Sequence, residues 1–319
     1  MSDAHQISRD YDDNALLPML FGPHNQHLDR IGESLDVSLT SRGNAVIISG
    51  DIGKVSEAAG VLDALYQRLK RGYPVESADV DAALRMGGMT AENGGAGPTI
   101  ITRKRHIQAR TPVQADYIKA MNAQELVFGL GPAGTGKTYL AVAKAVSMMI
   151  TGEVDRIILS RPAVEAGERL GFLPGDLREK VDPYLRPLYD ALHDMLPGDQ
   201  VAKKLASGDI EVAPLAFMRG RTLASSFIIL DEAQNTTPMQ MKMFLTRLGE
   251  HSRMVVTGDL SQVDLPPGVR SGLQDALEIL DGVPGIGVAR FTDRDVVRHG
   301  LVSRIVRAYD ARDKKKEQA

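Results

Sequence analysis

The residues with the clearest chemical potential form one run, Gly131-Pro132-Ala133-Gly134-Thr135-Gly136-Lys137-Thr138. The run matches G-x-x-x-x-G-K-[ST], the pattern of a phosphate-binding P-loop. Its glycines admit backbone angles that a Cβ forbids, and the unpaired amides at the start of a following helix point at the anion. We expect Lys137 to reach the β- and γ-phosphates of a nucleotide, and the Thr138 hydroxyl to bind Mg²⁺.

A second motif combines an apolar run with two acids. Residues Phe227–Leu230 are apolar, and Asp231 and Glu232 follow directly. This is the Walker B pattern, in which Asp231 would hold Mg²⁺ through its water shell and Glu232 would act as the general base toward the attacking water. Two adjacent acids could instead cap a helix, but Thr236 and Thr237 are better placed for that role. We therefore predict a Walker B motif.

Three further stretches resemble parts of superfamily 1 helicases. Thr257–Gln262 is similar to their G-D-x-x-Q motif, whose Gln senses the γ-phosphate, and this assigns that role to Gln262. Ser160–Gly167 occupies the place of the helicase motif that contacts the nucleic-acid strand. Gln114 resembles the glutamine that reads adenine ahead of a P-loop strand, since an amide can both donate and accept. The order of the motifs is the helicase order.

A closer resemblance covers residues 111–309. The runs that carry it are Leu170–Asp176, Lys180–Tyr189, Ala213–Leu223 and Asp295–His299. Together with the motifs above, they are similar to PhoH-like ATPases of the branch that lacks a fused nuclease domain. The resemblance implies ATP hydrolysis by a helicase-like core, a link to RNA metabolism, and a partner endoribonuclease of ribosome maturation. It does not name the RNA.

The elements that must position these motifs alternate between apolar strands and helices. The predicted strands are Leu126–Leu130, Arg156–Ser160, Ile210–Val212, Phe227–Asp231, Met254–Thr257 and Gly287–Phe291. Such alternation predicts an α/β fold of the P-loop NTPase type, similar to RecA and superfamily 1 helicases, with a mainly parallel sheet and helices on both faces. Ligands then bind beyond the carboxyl ends of the strands, where three motifs face the P-loop.

The N-terminal part has a different pattern. Residues 15–86 predict a small α+β domain, built from the strands Leu16–Phe21, Val37–Thr40 and Ala45–Ile48, the helices His27–Leu35 and Val55–Leu69, and a further helix at Val75–Met86. This order resembles the RNA-binding KH family, whose GXXG loop clamps nucleotides. The matching turn, Gly22–Asn25, lacks the second Gly. A docking or oligomerisation module is the alternative.

The remaining segments complete the predicted domain organisation. We expect a disordered N-terminus at 1–14, a Gly-rich linker at 87–98, an ATPase domain at 99–310 and a basic tail at 311–319. The basic run Arg103–His106 could contact phosphates or form a solvated face. The tail could add sequence-independent affinity for RNA or simply keep the chain in solution.

The chain has a single P-loop, and this count bears on catalysis. A superfamily 1 helicase has two lobes, and the second supplies arginines to the γ-phosphate. The present chain has room for one lobe, so another element or a neighbouring subunit must supply the arginine, whose loss would cost about 10³–10⁵ in rate. We therefore predict a homo-oligomeric ring, a hexamer by family analogy. The candidate fingers are Arg298 first, then Arg270 and Arg304, although each could make an ordinary ion pair.

Composition narrows the function classes. There is no cysteine, which excludes disulfides and thiolate metal sites, and the net charge of −3 requires any nucleic-acid contact to come from local patches. No apolar run is long enough to span a bilayer, and the N-terminus does not look like a signal peptide. We therefore expect a cytoplasmic location and no membrane partner.

Three functions fit these patterns. The first is a Mg²⁺-dependent ATPase that acts on RNA or on an RNA-bound machine. The second is an ATP-gated oligomeric assembly switch that binds protein partners without RNA. The third is a phosphotransferase that uses the same P-loop, but the water-activating carboxylate of Glu232 favours hydrolysis over transfer.

Overall fold

The computed structural model of this chain describes residues 5–87, 98–162, 177–297 and 305, with side chains of the helix that begins at 177 described from 185 onward. Contacts divide the chain into two units. The first comprises Met1–Thr99 and His106–Ala115, and the second comprises Ile100–Arg105 and Asp116–Ala319. The predicted linker, except for its two end residues, and the predicted basic tail lie outside the described residues.

The first unit contains a three-stranded antiparallel sheet in the order β1-β3-β2. Its elements are β1 (His5–Asp10), α1 (Leu17–Phe21), α2 (Gln26–Leu35), β2 (Ser38–Arg42), β3 (Ala45–Gly50), α3 (Ile52–Lys70) and α4 (Ser77–Arg85). The longest helix, α3, starts at Asp51, whose carboxylate accepts from the Gly53 amide at 3.1 Å. Its buried face carries Val55, Leu62 and Leu69 at helical spacing.

The structure corrects one predicted strand in this unit. The stretch Leu16–Phe21 is not extended, because Leu17–Phe21 forms helix α1. Pro18 lies in the first turn, where a helix tolerates proline because the missing N–H has no partner there anyway. Leu17, Leu20 and Phe21 are buried, and this spacing places all three on one face of a helix.

A second correction concerns the N-terminus, which we predicted to be disordered over residues 1–14. His5–Asp10 form β1, which pairs antiparallel with β3 from His5↔Gly50 to Asp10↔Ala45. Ile7 is the one residue of β1 that is even partly buried, so the strand has no apolar alternation to reveal it. The pairing with β3 supplies the order that the local sequence does not.

The boundary between the units also differs from the expected start of the ATPase domain at residue 99. His106–Ala115 groups with the first unit. Within that unit, Arg68 donates to the side chain of Gln108. The Tyr73 ring lies tilted against the ring of His106, with centroids 5.2 Å apart, and the two side chains share a hydrogen bond. This stretch contains two short strands, β4 (Thr99–Ile101) and β5 (His106–Gln108).

The second unit is built on a six-stranded parallel sheet in the order β11-β6-β10-β9-β7-β8. All six predicted strands are present, and the fold is that of a P-loop NTPase. The elements are α5 (Pro112–Ala123), which begins in the first unit, β6 (Leu126–Leu130), α6 (Lys137–Thr151), β7 (Arg156–Arg161), α7 (Leu177–Met195), α8 (Gly198–Ser207), β8 (Ile210–Pro214), β9 (Ser226–Leu230), α9 (Pro238–Leu245), β10 (Arg253–Gly258), α10 (Gly272–Ile279) and β11 (Ile286–Arg290).

The central strands are apolar because both faces of the sheet are covered. Every residue of β6 and of β9 is buried. On one face, Phe128 and Ile228 pack in a cluster with Met241 and Phe244 of α9 and Leu273 of α10. None of the helices in the described part of the chain combines the length and apolar character needed to cross a bilayer.

The strand order determines which loops can meet. Because parallel strands end at one edge of a sheet, the carboxyl ends of β6, β10, β9 and β7 lie side by side at spacings of about 4.8 Å. The P-loop follows β6, the Thr257–Gln262 motif runs on from the end of β10, and Asp231 and Glu232 follow β9. The third motif begins at the end of β7 with Ser160 and Arg161, and its residues 163–167 lie outside the described residues. This edge is where the predicted site residues should converge.

Candidate functional site

The P-loop connects β6 to α6, as predicted. Gly131 has φ 136°, and a Cβ on it would lie 2.3 Å from the main-chain oxygen of Phe291. Gly136 has φ 83° and caps the N-terminus of α6. Both positions therefore require glycine, the first for close approach and the second for a left-handed turn. The first amides of α6 consequently face the cleft described next.

A cleft of about 630 Å³ opens above the loop. It is lined by Ala133, Gly134, Gly136, Lys137 and Thr138 of the predicted binding run. The other three members shape the loop. Thr135 donates to the Pro132 carbonyl at 3.0 Å, and the Lys137 ammonium donates to the carbonyls of Gly131 and Pro132 at 2.5 and 2.8 Å.

The predicted metal residues lie together. The Thr138 hydroxyl donates to Asp231 Oδ1 at 2.6 Å, and the Thr257 hydroxyl donates to the same oxygen at 2.7 Å. The donors are oxygen atoms, which Mg²⁺ prefers. The described residues contain no cluster of three or more His, Asp or Glu with metal-ligand geometry. A site of one hydroxyl and one carboxylate fits Mg²⁺, which keeps several waters and binds substrate phosphates.

Glu232 lies in the same cleft, one residue beyond the metal carboxylate. Its backbone is left-handed, with φ 53° and ψ 40°, which is uncommon for a residue with a side chain. Its Oε2 accepts from the Gln234 amide at 2.6 Å, and its Oε1 lies 3.6 Å from the Arg161 guanidinium. The general-base candidate is therefore held between an amide and a cation.

Gln234 is a site residue that our sequence reasoning missed. Its side chain is 1% exposed and makes three polar contacts. Besides Glu232, its Nε2 donates to the Gln262 carbonyl at 3.1 Å, and its Oε1 accepts from the Asp259 amide at 3.0 Å. It joins the Walker B segment to the loop after β10. The only signal in the sequence was its place two residues after Glu232.

The loop after β10 is organised around Asp259. Its carboxylate accepts from the Ser261 amide and hydroxyl at 3.0 and 2.7 Å, and from the Gln262 side chain at 2.6 Å. Burial raises the pKa of Asp259, but the hydrogen bonds from Ser261 and Gln262 and the charge of Lys137 together lower it further, so the net shift is downward. Gln262 lines the cleft, as its predicted sensor role requires.

Three further charged residues line the cleft. Arg161, at the end of β7, belongs to the motif Ser160–Gly167 that was expected to face the P-loop, whereas Asp190 and Asp194 of α7 were not predicted as site residues. Two residues of the basic run Arg103–His106 contact helix α7. Arg105 pairs with Asp194 at 3.5 Å, and the Lys104 ammonium donates to the His193 carbonyl at 2.6 Å. At least these two charges of the run contact protein groups.

The remaining predicted site residues are not among the described residues that line the cleft. Gln114 belongs to the first unit, where its Oε1 accepts from the Arg110 amide at 2.7 Å. Arg270 forms ion pairs with Asp275 and Glu278. This is the alternative to a finger role that the sequence left open for it. Arg298 and Arg304 lie outside the described residues. The residue before Arg298, Val297, donates its amide to the Gly134 carbonyl of the P-loop at 3.0 Å.

Comparison with known proteins gives one consistent result. The family described as PhoH-like protein matches residues 106–310. A PhoH-like protein of Bacillus subtilis (strain 168) is 50% identical over 300 residues, which cover 91% of this chain and 93% of that protein. A PhoH-like protein of Mycobacterium tuberculosis (strain ATCC 25618 / H37Rv) is 51% identical over 297 residues, 91% of this chain and 84% of that protein.

Two further similarities cover less of the chain. The protein PhoH of Escherichia coli (strain K12) is 49% identical over 205 residues, 64% of this chain and 58% of that protein. Among solved structures, the Pif1 helicase from Candida albicans matches 57% of this chain and 40% of that chain, with 11% identity and a TM-score of 0.29. That structural similarity is too weak to support an argument.

Proposed function

The chain belongs to the PhoH-like protein family, and from that premise we propose that it is a Mg²⁺-dependent ATPase. One observation carries the proposal. The hydrogen bond from Thr138 to Asp231 joins residues 93 positions apart, and so unites the P-loop and the Walker B carboxylate in one cleft with Glu232. This is the constellation that hydrolysis of a bound triphosphate needs.

The roles follow from the positions. The amides at the start of α6 and the Lys137 ammonium bind the phosphates, while Thr138 and Asp231 hold Mg²⁺, which would neutralise charge on the phosphate oxygens. Glu232 accepts a proton from water as the water oxygen bonds to the γ-phosphorus. The bond between that phosphorus and the β,γ-bridging oxygen breaks, giving ADP and inorganic phosphate. Gln262 senses whether the γ-phosphate is present.

The basic test is release of inorganic phosphate from ATP by the purified chain, with and without Mg²⁺. We expect turnover that stops in EDTA and returns with added Mg²⁺. The phosphotransferase alternative predicts instead that phosphate appears on an acceptor and not in solution.

We also propose that Gln114 reads adenine, so that Gln114→Ala should reduce the preference for ATP over GTP more than it reduces the rate at saturating ATP.

We propose RNA as the target of this ATPase, within the cytoplasm. The support comes from the family resemblance and from the turn Gly22–Asn25, which connects α1 to α2 and whose sequence resembles the GXXG clamp of KH domains except for its second Gly. His24 and Asn25 have φ of 52° and 61° there, so the turn is tightly bent despite the missing second Gly. The family also points to an endoribonuclease of ribosome maturation as partner.

The RNA proposal is tested by measuring ATP turnover with and without single-stranded RNA, and oligomer mass in the same samples. We expect the RNA to stimulate turnover several-fold, and Lys137→Ala to give the background rate. If RNA neither binds nor changes the rate while ATP changes the oligomer mass, the chain is an assembly switch that acts without RNA.

We further propose a homo-oligomeric ring, hexameric by family analogy, in which Arg298 acts on the neighbour's γ-phosphate. A mixture of Arg298→Ala, which has an intact P-loop, and Lys137→Ala, which has an intact finger, should then recover activity that neither variant has alone. Mixed oligomers that form without recovery would assign the finger elsewhere, and the same test applies to Arg270 and Arg304. An active monomer would exclude the ring.

A further inference from the structure

The first unit contains a cavity of about 750 Å³ that the proposed ATPase function does not use. One wall is formed by α1, the turn Gly22–Asn25 and the start of α2, and the other by residues 74–77, which lead into α4. The walls are largely apolar, with Met19, Phe21 and Val75 among the lining side chains. The volume is typical of sites that enclose a small ligand or one unit of a larger one.

His27 brings a buried hydrogen-bonding group to this cavity. The residue is 2% exposed, and its Nδ1 lies 3.0 Å from the Leu20 carbonyl oxygen. A carbonyl only accepts, so Nδ1 carries the proton, and in the neutral ring Nε2 is left as an acceptor. Nε2 has no hydrogen-bond partner among the described residues. Because a buried acceptor without a partner costs stability, a ligand that donates to Nε2 would be favoured.

Gly22 fixes the imidazole in this orientation. A Cβ on Gly22 would lie 2.9 Å from three ring carbons of His27, so the backbone packs closely against the ring. The φ of Gly22 is 72°, which also favours glycine. With Nδ1 bonded to Leu20 and the ring carbons covered by Gly22, the Nε2 edge is left for the cavity. The glycine of the turn is thus required by the histidine behind it, independently of any GXXG clamp.

The charges and hydrogen-bonding groups of the lining select the ligand. Among the described residues that line the cavity, none is Lys or Arg and Glu76 is the one acid, so a phosphate is poorly matched to it. Both Nε2 of His27 and the Glu76 carboxylate accept hydrogen bonds. Three lining residues have no N–H to donate, namely Pro18, Pro23 and Pro74. The lining therefore favours an uncharged group that has apolar faces and carries N–H donors on its edge.

We propose that this cavity binds one nucleobase, and guanine best, with Nε2 of His27 accepting from a base N–H. Guanine presents two adjacent donors, N1–H and the N2 amine, on its Watson–Crick edge, and its faces are apolar enough to lie against Phe21 and Val75. The sugar and phosphate remain outside. The site differs from a KH clamp, which holds the nucleotide backbone, and one of its walls follows the β-α-β-β-α segment.

The proposal rests on the proposed RNA function, since RNA is the expected source of the base, and a free guanine nucleoside is the other source of the same chemistry. Guanosine is the first probe because it has no phosphate for the P-loop to bind. Isothermal titration of the full chain should show guanosine binding more tightly than adenosine, cytidine or uridine. Equal affinity for all four nucleosides, or no binding, would overturn the assignment to guanine.

Two substitutions of His27 separate the two ring nitrogens. His27→Asn keeps an amide N–H near the position of Nδ1 but removes Nε2, so guanosine affinity should fall about tenfold. His27→Gln puts an amide group near the position of Nε2 and should recover part of that affinity. The matched control is His24→Asn, because His24 is exposed in the same turn, lies outside the cavity lining and has a φ of 52° that Asn tolerates. Unchanged guanosine affinity in His27→Asn would exclude the contact.

Two single-stranded RNAs of equal length identify the source of the base, one of uridine alone and one with a single central guanine. If the base comes from RNA, the guanine should raise affinity about tenfold, and His27→Asn should remove this gain without changing the affinity for the all-uridine RNA. If guanosine binds but guanine in RNA adds nothing, the cavity is a site for free guanine nucleosides and its assignment to RNA is wrong.

Failure of this site is distinguishable from failure of the proposed RNA function. If RNA stimulates ATP turnover but guanosine does not bind, only the cavity proposal is overturned; if no RNA binds or changes turnover, the RNA target fails. Thermal unfolding checks the fold of each variant. Should His27→Asn not fold, Met19→Ser decides, because Met19 is 46% exposed and its loss should weaken guanosine binding severalfold. Ile52→Ser, at an exposed position outside the cavity, is its control, and equal affinity in both variants would count against the site.

Discussion

The two sides of the nucleotide cleft are held in place by different kinds of contact. On one side, the P-loop is fixed by its own residues, since Lys137 and Thr135 donate to carbonyls no more than six positions away. On the other side, Gln234 joins Glu232 to the loop after β10, over separations of 25 and 28 residues. The first side is a self-contained turn, and the second is a network between strand ends.

This difference suggests that the two sides have different functions, one in binding and one in catalysis. A loop fixed by local bonds and by three glycines of positive φ is suited to binding, because its amides point at the phosphates before the ligand arrives. A network that spans two loops is suited to chemistry, because movement of one loop changes the position of the base on the other. Substitutions on the P-loop side should therefore affect binding, and substitutions in the network should affect kcat.

The largest effect should come from the P-loop side. Lys137→Ala removes the cation that meets the β- and γ-phosphates, and we expect loss of measurable ATP binding and a fall in kcat/KM of at least about 10³-fold. Equilibrium titration with a fluorescent nucleotide and phosphate release give the two numbers. Lys119→Ala removes an exposed lysine of α5 as the control. Retained binding at the wild-type Kd would remove the binding role from Lys137.

The matching substitution on the network side is Glu232→Gln. The amide cannot take the proton from water, so we expect kcat to fall by about 10²–10⁴-fold while ATP remains bound. Single-turnover kinetics with radiolabelled ATP separate binding from chemistry. Glu211→Gln makes the same change in an Arg–Glu pair outside the cleft. Turnover of Glu232→Gln at the wild-type rate would show that Glu232 is not the general base.

How well each side could be predicted from sequence follows the same division. The P-loop, its glycines and Thr138 were predicted because every requirement lies within eight consecutive residues. The six strands were predicted because buried parallel strands read as continuous apolar runs. Gln234 was missed because its role depends on which strand ends are neighbours, and the sheet order β10-β9 cannot be read from any one segment.

In the first unit, the conformation of two segments was predicted wrongly from their local sequence. Leu16–Phe21 is as apolar as a strand but folds as α1, and His5–Asp10 is polar but folds as β1. In both cases a partner elsewhere decides the conformation. The burial of Leu17, Leu20 and Phe21 at helical spacing selects the helix, and the pairing with β3 selects the strand. Local pattern is a weak guide where the strand that completes the sheet is an exposed edge.

A smaller effect should come from the residue that joins the network. Gln234→Leu keeps the volume but removes three hydrogen bonds, so Glu232 loses an anchor and the Asp259 amide loses its acceptor. We expect kcat to fall about 10–100-fold with KM nearly unchanged, and stability to fall by about 1–3 kcal/mol. Gln240→Leu, which disrupts only the cap of α9, is the control. A fall in stability with unchanged kcat would make Gln234 purely structural.

The smallest effects should distinguish two carboxylates, the half-buried Asp63 of the first unit and the buried Asp259 of the second. The pKa of Asp259 is lowered on balance, as described above, so its ionised form stabilises the fold. For Asp63 in the first unit, burial raises the pKa by more than Arg9 and the Tyr11 hydroxyl lower it, so its ionised form costs stability. The two groups should therefore respond to pH in opposite directions.

The signs follow from proton linkage. A carboxyl with a lowered pKa contributes stability above the pKa of the unfolded chain and loses that stability as pH falls through its folded pKa. Asp259→Asn should thus lower the unfolding midpoint at pH 7, by an amount worth about 1 kcal/mol, and the gap should begin to close below pH 4, as the pH falls toward the lowered pKa of the folded state. Asp63→Asn should raise the midpoint slightly at pH 7, with the gap again closing in acid. Calorimetric scans from pH 3.5 to pH 7 measure both. If Asp259→Asn instead raised the midpoint at pH 7, the hydrogen bonds from Ser261 and Gln262 would not outweigh the burial of Asp259. If Asp63→Asn lowered it, the contacts of Asp63 with Arg9 and Tyr11 would outweigh its burial.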